Sequence, residues 1–151
     1  MEWLVVLHVL AAVIGLGPAY AFPFLLKSTS STQEMERALH YVSRLEMFPK
    51  MFGTIAVVSG LLLLWLGSYG SILQIWIMGT LILYVIIEVL IVGLLNPTVK
   101  KLQTSLTASE VSTDDQFPSL VSTMFSRVRN IHLWVSILSV FIFILMILKP
   151  R

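Results

Sequence analysis

The chain has 151 residues, 57% hydrophobic and only 12% charged, with a formal net charge of +2. Soluble domains carry about 25% charged residues, so this composition excludes an ordinary water-soluble fold. Cysteine is absent, which excludes disulfides, thiolate metal sites and cysteine nucleophiles.

Four apolar runs, near residues 3–26, 51–70, 72–95 and 130–148, hold most of the hydrophobic content, and mean hydropathy is +0.91. About 20 apolar residues rising 1.5 Å each cross a hydrocarbon core of about 30 Å. The predicted fold is therefore all-α: a four-transmembrane-helix, up-down antiparallel bundle forming a single integral membrane domain over 1–151. Its first partner is the lipid bilayer. The pI near 9.1 comes from basic residues clustered in the connections, which does not mark a nucleic-acid binder.

The first run follows Met1-Glu2-Trp3 without a basic start and exceeds a signal-peptide core, so it is read as a retained helix. His8 lies two turns inside it, and Ala12, Gly15 and Ala19 continue below on the same face. A ring nitrogen above a channel of small side chains is what a flat macrocycle or a metal ion requires. His8, Ala12 and Gly15 are thus candidate cofactor-binding residues, with His8 the candidate metal ligand. A histidine hydrogen-bonded to a neighbouring helix is the competing reading. Pro18 and Pro23 withhold backbone donors and predict a bend at the end of this run.

Ser31-Thr32-Gln33-Glu34 matches a capping box. Met35, Leu39, Val42, Leu45 and Phe48 then recur at helical spacing, predicting an interfacial amphipathic helix over about 32–48 that Pro49 separates from the second span. His40, between Glu36 and Arg44, reads as a solvated residue of that helix. In the second run Gly53, Gly60 and Gly67 recur every seven residues, a small-residue stripe for packing against the first or third span. The turn Gly67-Ser68-Tyr69-Gly70-Ser71 is short enough to predict that the second and third spans form a hairpin.

Within the third run, Glu88 is flanked at one turn by Tyr84 and, a little farther on, by Gly93. Asn96-Pro97 predicts its end. Residues 97–129 are then a connecting loop and helix extension, with 105–117 the stretch expected to be most mobile. From Pro118, helical periodicity continues through Leu120, Met124, Val128 and Ile131 into the fourth span. His132 enters at nearly the depth of Glu88, so Glu88 and His132 are a candidate polar intramembrane pair, with Tyr84 and Arg129 as helpers. Such a group is either a structural pair or a proton relay. His8 and His132 lie at opposite depths, about 20 Å apart, so a bis-histidine haem would need a second copy of the chain.

Lysine and arginine set the expected orientation. Lys27, Arg37, Arg44 and Lys50 lie between spans one and two, and Lys100, Lys101, Arg127 and Arg129 between spans three and four. Only Lys149 and Arg151 fall on the other side. This positive-inside bias predicts a plasma-membrane protein with both termini outside and the larger connections cytoplasmic. Trp3, Trp65, Tyr69 and Trp76 form the matching aromatic belt, and Trp134 lies near the inner boundary.

Leu7-His8 through Phe22-Pro23, Glu36-Arg37-Ala38-Leu39, Pro49, Gly60-Leu61-Leu62 and Ile147-Leu148-Lys149-Pro150 together resemble small four-helix bacterial membrane proteins of the HemJ and CopD types. Within that group the chain looks like a member of an uncharacterised small integral-membrane family. In HemJ-type enzymes the first-helix histidine is implicated in haem b binding, so the resemblance implies haem b at His8. Their third helix carries a basic, histidine-rich pattern, where this chain offers Glu88; the porphyrinogen oxidase activity does not carry over with the fold. The methionine and histidine clusters of a copper path are absent, and Met47 and Met51 lie on the cytoplasmic side. Three readings stand: a haem- or metal-binding accessory or redox protein, a proton-coupled transport or lipid-handling protein using Glu88 and His132, and a structural bundle without a cofactor. Dimerisation, or assembly with another membrane protein through the glycine stripe, is compatible with each.

Overall fold

The computed structural model describes residues 1–27, 31–67, 73–109 and 117–150, and these are all helical or connecting, without strands. In chain order they form α1 (Glu2–Leu16), a 3₁₀ turn (Pro18–Ala21), α2 (Phe22–Leu25), α3 (Thr32–Leu45) and α4 (Met47–Leu66). Next come α5 (Ile75–Glu88), a π-helical segment (Val89–Leu95), α6 (Asn96–Ser109) and α7 (Phe117–Leu148). Four helical stretches, Glu2–Leu25, Thr32–Leu66, Ile75–Ala108 and Ser119–Leu148, are long and apolar enough to cross a membrane.

Proline chemistry explains both irregular segments. Pro18 and Pro23 offer no N–H to the carbonyls of Ile14 and Ala19, so the α ladder fails there. The chain tightens instead: Tyr20 N–H reaches Gly17 O at 3.3 Å, and Phe22 N–H bonds Ala19 O. Pro97 likewise withholds a donor from Gly93 O. The ladder lengthens into i→i+5 bonds, with Asn96 N–H on Ile91 O, while the Thr98 hydroxyl serves Leu94 O at 2.6 Å. Asn96-Pro97 therefore does not stop the helix, contrary to the sequence expectation. The backbone absorbs the missing bond and continues as α6, which also takes in 105–109; residues 110–116 of the expected mobile stretch lie outside the described residues.

Pro49 does not separate α3 from α4 either. It occupies the first turn of α4, where amide donors have no intrahelical partner to lose. The break falls at Glu46, whose carboxylate meets Lys50 Nζ at 3.1 Å.

Packing divides the spans into two pairs. α1 lies along α4, and α5 lies along α7. In the first pair Gly15 faces Gly53 and His8 faces Gly60, a register that runs antiparallel. In the second, Gly79 faces Leu145, and Lys149 Nζ sits 5.6 Å from the Trp76 ring centre. α4 and α5 do not pack along each other, although only the 67–74 connection separates them. The expected hairpin is thus overturned: α1 occupies the small-residue face of α4, and α7 covers Gly79 of α5. The pairs meet where the 3₁₀ turn and α2 abut α7.

Beyond that joint, a compact apolar core gathers α2, α3, the π segment, α6 and the first half of α7. Leu26, Leu102, Phe125 and Val128 are at most 1% exposed within it. Met35, Leu39 and Val42 of α3 belong to the same core. The apolar face of α3 is therefore covered by protein.

Candidate functional site

His8 is held by α4. Its Nδ1 lies 2.8 Å from the Ala56 carbonyl and 3.2 Å from Ser59 Oγ. The carbonyl can only accept, so Nδ1 carries a proton, and in the neutral ring Nε2 is then the nitrogen with the lone pair. Ser59 directs its own hydroxyl to Ile55 O at 2.7 Å, leaving its oxygen free to accept from the ring. Gly60 makes room for the imidazole: a Cβ there would stand 2.9 Å from His8 Cε1. A main-chain carbonyl on Nδ1–H is how proteins fix a ligating histidine and raise its basicity.

The channel expected below His8 is not there. Gly15 is buried, and a Cβ on it would meet Gly53 N at 3.1 Å and Phe52 Cβ at 3.2 Å. The small residues of α1, Ala12 half-buried among them, line the α1–α4 seam and leave no slot for a macrocycle. Gly53 and Gly60 serve this internal packing, and Gly67 is the extended residue that ends α4. His8 of α1 covers Gly60, whereas a Cβ on Gly53 would meet nothing within 4 Å, so α1 uses only part of the glycine stripe.

Glu88, half-buried at the end of α5, has the Tyr84 phenol one turn away in polar contact. His132 does not join them. It is 5% exposed, packs edge-on against Phe22 at 5.1 Å, and its Nε2 is buried without a hydrogen-bond partner. The expected Glu88–His132 pair is therefore overturned: His132 faces the interrupted end of the first span, while Glu88 stays with Tyr84. Arg129, half-buried one turn from His132, forms no ion pair among the described residues.

Above His132 the same helical face carries Ser136 and Ser139, both buried. Ser136 Oγ donates to His132 O at 2.9 Å and lies 3.4 Å from Ala19 O, the carbonyl that Pro23 deprives of its α partner. Ser139 Oγ lies 3.1 Å from the Tyr20 hydroxyl and donates to Ser136 O at 2.8 Å. A polar seam thus runs along α7 beside the 3₁₀ turn. Sequence reasoning missed Ser59, Tyr20, Ser136 and Ser139. The signal was present, since Ser136 and Ser139 stand four and seven residues after His132, and Ser59 adjoins Gly60.

Apolar spans with buried polar groups between them define a multi-pass integral membrane protein. The chain belongs to the family described as predicted integral membrane protein (DUF2269), which matches residues 2–150. No curated protein and no solved structure matches it.

Proposed function

We propose that this protein binds haem b or a transition-metal ion through His8, as an accessory or redox component of the membrane. The observation that carries the reading is the hydrogen bond from His8 Nδ1 to the Ala56 carbonyl, which orients the ring and leaves Nε2 as a ligand. The resemblance of Leu7-His8 through Pro23 to HemJ-type proteins points the same way. His8 would supply one ligand to the iron or metal ion, held in orientation by the Ala56 carbonyl. Among the described residues no three histidine, cysteine or acidic side chains gather to complete a metal site. In a membrane homodimer, His8 of a second copy would supply a second ligand. Bound there, haem iron supplies one-electron chemistry; the chain supplies the ligand, its orientation and an apolar surround. The topology that accompanies this reading has both termini outside the plasma membrane. Full-length protein expressed with ample haem and purified gently is expected to show a Soret band, abolished by His8→Ala and kept by His40→Ala. A colourless, metal-free preparation overturns the proposal.

A second reading rests on His132. A buried imidazole nitrogen without a partner, beside a proline-interrupted helix, is a feature of proton and ion sites in transporters. Proton-driven flux in liposomes lowered by His132→Gln supports it; flux indifferent to that substitution removes it.

A further inference from the structure

On its outward side, away from the polar seam, α7 bears a second polar surface that neither reading uses. Ser122, Ser126, Arg127 and Asn130 line a shallow open groove that ends at Trp134. Arg127 is exposed and has no ion-pair partner among the described residues. Trp134 is 59% exposed, and from Leu133 to Leu148 the helix is apolar apart from Ser136 and Ser139, which are buried. The groove therefore straddles the level at which α7 enters the hydrocarbon. A guanidinium, two hydroxyls and a carboxamide offer donors suited to phosphate oxygens, and an exposed indole one to two turns deeper prefers the glycerol level of a bilayer.

We propose that this groove binds the phosphate of an anionic phospholipid headgroup, with Arg127 as the principal contact and Trp134 against the upper acyl chains. Charge complementarity selects an anionic lipid over a zwitterionic one, because the groove presents a cation that has no carboxylate partner among the described residues. Binding here is independent of His8.

The test is native mass spectrometry of the full-length protein in detergent, titrated with phosphatidylglycerol, with phosphatidylcholine, and with inorganic phosphate. Phosphatidylglycerol is expected to be retained preferentially. Arg127→Gln is expected to lower that retention about fivefold, the equivalent of about 1 kcal/mol per basic residue at a membrane surface, while Lys101→Gln on α6 leaves it unchanged. Equal retention of both lipids, or an Arg127→Gln protein that binds like the parent, overturns the proposal. Inorganic phosphate displacing the lipid at equal concentration reassigns the groove to a soluble anion and overturns it as well. So does lipid retention that emerges only after Glu110, Asp114 and Asp115 are neutralised together, because the chain's own acidic segment is then the occupant.

Discussion

His132 leaves a nitrogen buried without a partner, on a face where every neighbouring polar group is bonded. An unsatisfied buried polar group costs about 1–3 kcal/mol. His132→Phe or His132→Leu is therefore expected to leave stability unchanged or to raise it by about 1 kcal/mol. Unfolding in mixed detergent micelles measures this, and a large loss of stability would show that Nε2 has a partner in the membrane. Ser136→Ala tests the opposite case: it removes a hydroxyl from an interhelical bond and is expected to cost about 0.6 kcal/mol, the average for such bonds in a membrane. His8, Glu88 and His132 were legible in the sequence because an ionisable group interrupting an apolar run is conspicuous. Tyr84 beside Glu88 was legible too, but the surroundings of His8 and His132 were not. Depth along a helix follows from residue number, but facing depends on how each helix is rotated, and two residues at one depth need not meet. Glu88 and His132 share a depth and miss each other for that reason.

At the scale of elements, the glycines of the α1–α4 seam are unequal although the sequence spaces them evenly. A Cβ on Gly53 meets nothing within 4 Å, one on Gly15 meets backbone at 3.1 Å, and one on Gly60 strikes the His8 ring. Gly53→Ala is therefore expected to be neutral or to stabilise by up to about 1 kcal/mol through helix propensity. Gly15→Leu is expected to cost about 1–3 kcal/mol, because the helices must part to admit it. Thermal unfolding of the two variants side by side checks the contrast, and similar losses would contradict the register. Gly60→Ala has a spectroscopic readout too: it pushes His8 off the Ala56 carbonyl and is expected to shift or weaken any haem band that depends on that bond. The four apolar spans, their lengths and the small-residue seam were readable from composition and period. The helix ends at Pro49 and Pro97 were misread, because a proline marks a missing hydrogen bond and the surrounding structure decides whether that gap ends a helix.

The whole molecule is two antiparallel pairs that meet at α7, beside an apolar core shared by α2, α3, the π segment, α6 and the first half of α7. α1 with α4 and α5 with α7 are each packed along their length, while contact between the pairs is concentrated where Ala19, Tyr20 and Phe22 meet α7. Both first-of-pair spans are interrupted near that level, one by the 3₁₀ turn and the other by the π segment, and α7 packs against both. Such interruptions persist in a membrane where the freed backbone groups find other partners, as Ala19 O does in Phe22 N–H. His132 lies where the two pairs meet, whereas Val58 is exposed on α4. Because the chain has no cysteine, paired cysteines report this geometry without background. Ala19→Cys with Ser136→Cys is expected to crosslink in membranes, since both residues are buried where the 3₁₀ turn abuts α7. Val58→Cys with Ile82→Cys is expected to stay largely reduced: both positions are exposed, on helices α4 and α5 that do not pack along each other. Equal crosslinking of the two pairs would mean that the second and third spans close into the hairpin their short connection permits, and the joint at α7 would lose its singular place.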